Sequence, residues 1–271
     1  MNVRNNKWSI RLRMMLVAMT SLVMVACGTL APEKLRGTGD MGVVIERASG
    51  SVSIVTTSQP EVLAQVKGLG DLSHASVVFS RDGRYAYVFG RDGALSKVDL
   101  LTARLVKRVM QAGNSIGGAI SADGKVVVAQ NYTPGGVKVF DADTLDLKMD
   151  VPAAYGDKGK LSRVVGLVDL PNRQFAFSLF DADQIWVLDT QDFEQIKIKK
   201  FENIGHQPYD ALVTPNGRYY IAGLFGQDGL AMIDLWQKNP QPKIILQGYG
   251  KGQEPLPVYK MPHLRGWAVA G

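Results

Sequence analysis

The stretch VVFSRDGRYAYVFGRDGALSKVDL, residues 77–100, sets out a pattern that occurs four times in the chain. Each copy has an apolar run, a turn of the Asp-Gly or Pro-Asn type, an alternating strand, a loop and a strand that ends in Asp. The other copies span residues 118–141, 168–189 and 211–234. The closing acids, spaced 42, 48 and 45 residues apart, are Asp99, Asp141, Asp189 and Asp234. Repetition at this spacing predicts a modular fold.

Each repeat is followed by a further short strand, such as residues 105–112 or 196–203, and residues 41–57 supply an incomplete earlier copy. Four antiparallel strands in roughly 40–50 residues are typical of a β-propeller blade. The Asp-Gly and Pro-Asn turns provide the positive φ angles that tight hairpins need. Because helical periodicity is nearly absent and β-sandwiches seldom repeat one motif four times, we predict an all-β propeller over residues 41–271.

The number of blades is smaller than a closed ring needs. The sequence offers about five units, whereas a closed propeller at this spacing is expected to need roughly six to eight. An open ring would leave an unpaired sheet edge, which proteins avoid. We therefore expect the sequence to be a truncated form of a longer, eight-bladed protein, with completion by a partner chain as the alternative.

Residues 1–26 have the features of a signal peptide. Four basic residues and no acid are followed by residues 14–26, which carry no charge and are too short to span a bilayer. Cys27, the only cysteine, comes next, as in a bacterial lipobox whose Cys is acylated. Plain secretion is the alternative. We predict a periplasmic, membrane-anchored lipoprotein in which residues 27–40 are the lipidated Cys and a tether.

The formal net charge of +6 invites a nucleic-acid partner. Four of the positive charges lie in residues 1–26, so only +2 remains after cleavage, and we predict no nucleic-acid binding. The segment Gly37–Gly42 is a literal G-x-G-x-x-G. A dinucleotide fingerprint must follow a strand and open a helix. Here it leads into a predicted strand, so we predict no NAD binding at Gly37–Gly42.

All three histidines fall at one phase of the repeat, in the link before the innermost strand of a blade. They are His74, His206 and His263. Two arginines, Arg163 and Arg265, share this phase. Loops that reach the same end of the channel add Arg91, Asn131 and Tyr132. Arg pairs with carboxylates, His ligates metals and aromatic rings stack. This set suits a flat, polyanionic ligand such as an iron tetrapyrrole.

The segment HASVVFSRDGRYAYVFGRDGALSKVDL, which begins at His74, resembles the start of the d1-haem propeller of cytochrome cd1 nitrite reductases. The resemblance continues through SRVVGL around Arg163, PYDALVTPNGRYY after His206 and MPHLRG around His263. It covers most of residues 41–271. The amino-terminal cytochrome c domain of those reductases is absent, and with a lipobox in its place the chain is similar to the d1-haem biosynthesis proteins of denitrifying bacteria.

The resemblance implies an eight-bladed periplasmic propeller that acts on a late intermediate between sirohaem and d1 haem. Its partners would be other d1-haem assembly proteins and nitrite reductase. His74 stands at the position of the axial ligand of the tetrapyrrole iron. Arg91, Arg163 and Arg265 stand at positions expected to hold the carboxylate side chains.

Three functions stay open. In the first, the protein is an enzyme that oxidises or removes a ring side chain, with His206, Tyr209 or Asp210 transferring protons. The related reductases have an active-site His near Tyr209 and Asp210, and His206 stands slightly earlier. In the second, the site carries the tetrapyrrole without chemistry. In the third, the propeller is a scaffold for other proteins.

Overall fold

The computed structural model describes residues 37–247, and nearly all of its regular structure is β-strand. A 3-10 turn at Thr38–Asp40 leads directly into the first strand. Asp40 is held there by hydrogen bonds from Thr57 and Ser58, so the folded unit begins a few residues before the predicted boundary at residue 41. Between residues 37 and 247 no helix has the length and apolar character needed to cross a membrane.

Five antiparallel sheets follow one another along the described residues, each in up-and-down order, and we call them blades 1 to 5. Blade 1 contains β1 (Met41–Glu46), β2 (Ser51–Thr56) and β3 (Glu61–Val66). Blade 2 contains β4 (Ser76–Phe79), β5 (Tyr85–Phe89), β6 (Ala94–Asp99) and β7 (Arg104–Met110). Blade 3 contains β8 (Asn114–Ile120), β9 (Val126–Thr133), β10 (Gly136–Asp141) and β11 (Leu147–Val151).

A two-stranded hairpin, β12 (Ala154–Tyr155) and β13 (Lys160–Leu161), precedes blade 4 and was not predicted by the repeat. Blade 4 contains β14 (Val164–Leu170), β15 (Gln174–Leu179), β16 (Gln184–Asp189) and β17 (Lys197–Phe201). Blade 5 contains β18 (Pro208–Val213), β19 (Tyr219–Leu224), β20 (Leu230–Asp234) and β21 (Pro242–Ile245).

The four repeated aspartates each end the third strand of a blade, as predicted. Their carboxylates accept backbone N–H groups of the turn that follows. Asp99, for example, accepts from Leu101 and Thr102 and also pairs with Arg84 at 2.8 Å. The repeated acid is therefore a structural element of the blade, since it satisfies N–H groups where the chain reverses.

The apolar side chains of neighbouring sheets meet in separate cores. One core packs blade 3 on blade 4 and includes Val128, Phe177 and Trp186, and similar cores join the other neighbouring blades. The first strands of blades 2 to 5 contact one another in turn and line the central channel. This arrangement confirms the prediction of an all-β propeller.

Strand direction decides which loops share an end of the channel. The links between blades, and in blades 2 to 5 the turns between second and third strands, lie at one end, which we call the site end. It consists of the links at residues 67–75, 111–113, 152–163 and 202–207 and the turns at residues 90–93, 134–135, 180–183 and 225–229.

Candidate functional site

The structure places four of the predicted site residues in the links and turns of the site end. His74 and His206 lie in the links before β4 and β18, Arg163 lies just before β14, and Arg91 lies in the turn between β5 and β6. Three predicted positions lie outside the described residues: Cys27, His263 and Arg265.

An aromatic cluster occupies the site end of the channel. Its rings belong to Tyr132, Phe180, Tyr209 and Phe225, which pack on Ile116 and Val165 of the inner strands β8 and β14. The Phe180 ring meets the Tyr209 and Phe225 rings edge-on, with centroids 5.6 and 5.5 Å apart. Tyr209 and Phe225 are also 5.5 Å apart. Such a cluster offers an apolar, polarisable surface on which a flat ring system can rest.

The repeat places three of these rings, together with Arg91, at equivalent positions of their blades. In blades 2 to 5 the second strand begins opposite the closing aspartate, at positions 85, 126, 174 and 219. The side chains six positions further along are Arg91, Tyr132, Phe180 and Phe225. Sequence reasoning found the first two and missed Phe180 and Phe225. Alignment of the repeats from the start of the second strand would have revealed them.

The hydroxyl groups of Tyr132 and Tyr209 hydrogen-bond to each other. This contact joins β9 of blade 3 to β18 of blade 5 across the end of β14, so it bridges the channel rather than two adjacent strands. Burial and the Tyr209 hydroxyl together raise the pKa of the Tyr132 phenol above its ordinary value. Tyr132 therefore stays protonated across the neutral range and can donate a hydrogen bond.

Arg163 lies at the edge of the aromatic cluster, with its guanidinium carbon 4.2 Å from the centre of the Phe180 ring. Its Nε and Nη2 donate to the two carboxylate oxygens of Asp181, and its backbone N–H donates to the same carboxylate. These bonds raise the pKa of Arg163 further. The Nε–Nη2 edge of the guanidinium is therefore already occupied by Asp181. A ligand carboxylate would have to accept from the remaining N–H groups, or share the occupied edge with Asp181.

Arg91 and His74 lie on the blade 1 and blade 2 side of the site end. The Arg91 backbone N–H donates to the Asp71 carbonyl at 2.8 Å, and its guanidinium helps to lower the pKa of Asp71, chiefly set by hydrogen bonds from Ser73. His74 follows Ser73 and is solvent-exposed. The exposed imidazole of His74 therefore directly follows a turn, at Asp71 to Ser73, that hydrogen bonds hold in place.

His206 is held between two blades. Its Nδ1 lies 3.0 Å from Oδ2 of Asp183 in the turn of blade 4. Its backbone N–H donates to Gln227 and its carbonyl accepts from Gly226, both in blade 5. Sequence reasoning did not single out Asp183, which lies 23 residues earlier.

Asn131 was predicted to bind the ligand, but in the structure it does not face the site. It lies in strand β9, not in a loop, and it is 1% exposed. Its amide exchanges two hydrogen bonds with the amide of Gln111, at 2.8 and 2.9 Å. Both polar atoms of the Asn131 side chain thus bond to Gln111, which follows the last strand of blade 2. Asn131 therefore links blades 2 and 3 and supports the site end. Its neighbour Tyr132 points to the opposite side, towards the ring cluster.

Asp210 lies next to Tyr209 in β18, where the pairing with β19 is interrupted between Pro208 and Ala211. Its negative charge adds to the raised pKa of Tyr132, after burial and the bond to Tyr209. Tyr209 and Asp210 are therefore both close enough to the ring cluster to affect a ligand bound on it.

The glycine motif Gly37–Gly42 passes through the 3-10 turn and into strand β1, and the absence of NAD binding there stays a prediction. Among residues 37–247 no group of three or more His, Cys, Asp or Glu side chains is arranged to hold a bare metal ion.

Comparison with known proteins gives consistent results. The chain is 60% identical over 254 residues to Protein NirF of Stutzerimonas stutzeri and 56% identical over 250 residues to Protein NirF of Pseudomonas aeruginosa. In each case 92% of this chain is matched, and it spans 65% and 64% of the length of those relatives.

Among solved structures, the dihydro-heme d1 dehydrogenase NirN in complex with DHE has a TM-score of 0.69 and 25% sequence identity. The match covers 80% of this chain and 46% of NirN. Residues 36–271 match the cytochrome D1 heme domain family, which takes in the five blades and the whole site end. The chain therefore belongs to the cytochrome D1 heme domain family.

Proposed function

We propose that this chain contributes the tetrapyrrole-binding funnel of a d1-haem biosynthesis protein. The ligand would be a late, sirohaem-derived iron tetrapyrrole that carries carboxylate side chains. The observation that carries the proposal is the cluster of four aromatic rings at the site end, bordered by Arg163. Membership of the cytochrome D1 heme domain family and the similarity to NirF and NirN support it.

The chemistry of the site fits this ligand class. The ring cluster matches the flat, apolar faces of a tetrapyrrole, whereas Arg91 and Arg163 can pair with carboxylates at its edge. His74 is exposed at the same end and would ligate the iron, which belongs to the substrate.

The proposed reaction is an oxidative modification of a ring side chain, in which an external electron acceptor takes the electrons and His206, Tyr209 or Asp210 takes up the protons. Tyr209 belongs to the ring cluster, Asp210 follows it in β18, and His206 lies in the link before β18. A carrier that holds and hands over the tetrapyrrole would use the same rings and arginines without the chemistry.

The test is a titration of the full-length protein with the late tetrapyrrole intermediate in the presence of an added electron acceptor, followed by absorbance and mass spectrometry. We expect a shift of the absorbance bands on binding and a change in tetrapyrrole mass on turnover. A band shift without a mass change would overturn the enzymatic part and leave the carrier. No band shift would overturn the proposal.

Two variants refine this test. His74→Ala should remove the part of the spectral shift that reports iron ligation. Phe225→Leu keeps an apolar side chain but removes a ring, so it should weaken binding several-fold through lost stacking. The matched control Trp236→Leu removes an exposed ring that lies after β20, at the opposite end, and should bind like the wild type.

Export and anchoring belong to the same proposal. We propose that residues 1–26 direct the chain to the periplasm and that acylated Cys27 anchors it to the membrane, where d1-haem assembly proteins and nitrite reductase would be its partners. Cell fractionation and labelling with a fatty-acid analogue test this. Cys27→Ser should lose the label and move to the soluble periplasmic fraction, and a labelled Cys27→Ser protein would contradict it.

A further inference from the structure

A histidine–aspartate pair at the site end connects two blades, and its aspartate, Asp183, was not expected from the sequence. Asp183 accepts through both carboxylate oxygens from the imidazole of His206, with Nδ1 at 3.0 and 3.2 Å. The same carboxylate accepts the backbone N–H of Gln207 at 2.7 Å. The segment that carries the His206 imidazole therefore also fixes the Asp183 carboxylate in place.

The imidazole is also fixed from the opposite side. Gly226 lies so close to it that a Cβ atom there would overlap the ring at Cδ2 and Cγ. The N–H of Gly226 donates to the His206 carbonyl, and Gln227 accepts the His206 N–H. Blade 4 thus holds Nδ1, and blade 5 holds the backbone and the Cδ2 edge.

The remaining edge of the imidazole carries Nε2. The side chain of His206 is 57% exposed, and among the described residues Nε2 has no hydrogen-bond partner. A carboxylate on Nδ1 selects the tautomer in which the hydrogen is on Nδ1 and the lone pair is on Nε2. When the imidazole is neutral, the pair therefore directs the lone pair of Nε2 in a defined direction at the site end.

We propose that Asp183 is the positioning residue that makes His206 the proton acceptor of this site, which rests on the proposed tetrapyrrole function. Nε2 takes one proton from a side chain of the bound tetrapyrrole, and that side chain keeps the electron pair. The imidazolium that forms is balanced by the Asp183 carboxylate, and the proton then leaves to solvent. Asp183 itself does not touch the ligand.

The backbone at Asp183 makes a clean substitution possible. Its φ is +55°, in the left-handed region, which Asn adopts more readily than most residues. Asp183→Asn can still accept the Gln207 N–H through its amide oxygen, but it loses the negative charge that holds and balances the imidazole. The fold should therefore persist while the preference for one tautomer is lost.

The first measurement needs no ligand. Because the chain has three histidines, the ring-nitrogen resonances of ¹⁵N-histidine-labelled protein can be assigned with His74→Gln and His263→Gln variants. In the wild type we expect His206 to show a protonated Nδ1 and an unprotonated Nε2. Asp183→Asn should shift this towards a mixture of tautomers. A wild-type His206 protonated at Nε2 instead would overturn the proposal.

The second measurement is binding and turnover of the tetrapyrrole intermediate. Asp183→Asn should bind it within about threefold of the wild type but convert it on the order of tenfold to a hundredfold more slowly. Gly226→Ala, which displaces the imidazole without changing a charge, should lose turnover in the same way. Asp192→Asn makes the same change in charge in the loop before β17, at the opposite end, and should leave both values unchanged.

The outcomes separate this inference from the proposed function. Normal turnover in Asp183→Asn, or binding without turnover in the wild type, overturns the role of the pair while tetrapyrrole binding stands. Failure of the wild type to bind the tetrapyrrole overturns the function itself, and with it the role of the pair in proton transfer.

Discussion

The hydrogen bond between Tyr132 and Tyr209 should contribute measurably to the stability of the blades. It joins hydroxyl groups 77 positions apart in sequence, on β9 and β18. Tyr132→Phe and Tyr209→Phe each remove one hydroxyl and keep the ring, so the apolar area buried in the cluster hardly changes. The perturbation is therefore confined to the bond across the channel.

The magnitude follows from the surroundings of the pair. A hydrogen bond between neutral groups contributes about 0.5–1.5 kcal/mol net, and a buried partner left without one costs about 1–3 kcal/mol. Tyr132 and Tyr209 are both only partly buried, so water can reach the hydroxyl that each substitution leaves without its partner. We expect Tyr132→Phe and Tyr209→Phe each to cost about 1 kcal/mol, and the two to couple by about 1 kcal/mol.

The assay is urea unfolding of the wild type, both single variants and the double variant at pH 7. Tyr155→Phe, on the hairpin between blades 3 and 4, is the matched control and should change the free energy of unfolding by less than about 0.5 kcal/mol. Independent sites add within about 0.3–0.5 kcal/mol. A coupling energy no larger than that scatter would refute the assignment of a hydrogen bond across the channel.

Two other predictions concern the blades themselves. Gly118→Ala should destabilise the protein by about 1–3 kcal/mol, because a Cβ there would overlap the Phe89 ring between blades 2 and 3. Gly113→Ala, whose nearest neighbour would be 3.6 Å away, should be close to neutral in the same unfolding experiment. At high pH, burial raises the pKa of Tyr87 and of Tyr220, so the unfolded chain releases these protons near pH 10 while the folded chain retains them. The free energy of unfolding should then fall above pH 10, by at most about 1.4 kcal/mol per pH unit for each of the two, and equal stability at pH 9 and pH 11 would contradict this.

The repeat was sufficient to predict the blades because its physical causes are local. Strand alternation, the turn residues and the closing acids all act within one hairpin, so each copy reports its own structure. The acids at Asp99, Asp141, Asp189 and Asp234 end the predicted strands in every case. The hairpin of β12 and β13 escaped because it interrupts the repeat instead of following it.

The site was harder to predict because its contacts join different blades. The turn between second and third strands spans residues 90–93 in blade 2 but only 134–135 in blade 3 and 225–229 in blade 5. Repeats aligned on their closing acids therefore slip out of register before they reach this turn. The equivalent positions of Phe180 and Phe225 are found only when residues are counted from the start of the second strand. Asp183, the partner of His206, is found neither by that count nor by a count from the closing acid.

The contrast between Asn131 and Tyr132 shows what such a register decides. In the sequence they are adjacent polar residues of one loop, and both were expected to bind the ligand. In the structure they belong to β9, and because successive side chains of a strand point to opposite sides, only one of them can face the ring cluster. Strand pairing of β9 with β8 and β10 makes that one Tyr132 and directs Asn131 to Gln111. A predicted site on a propeller rim therefore depends on where each strand ends, since one residue more or less exchanges a ligand-facing group for a structural one.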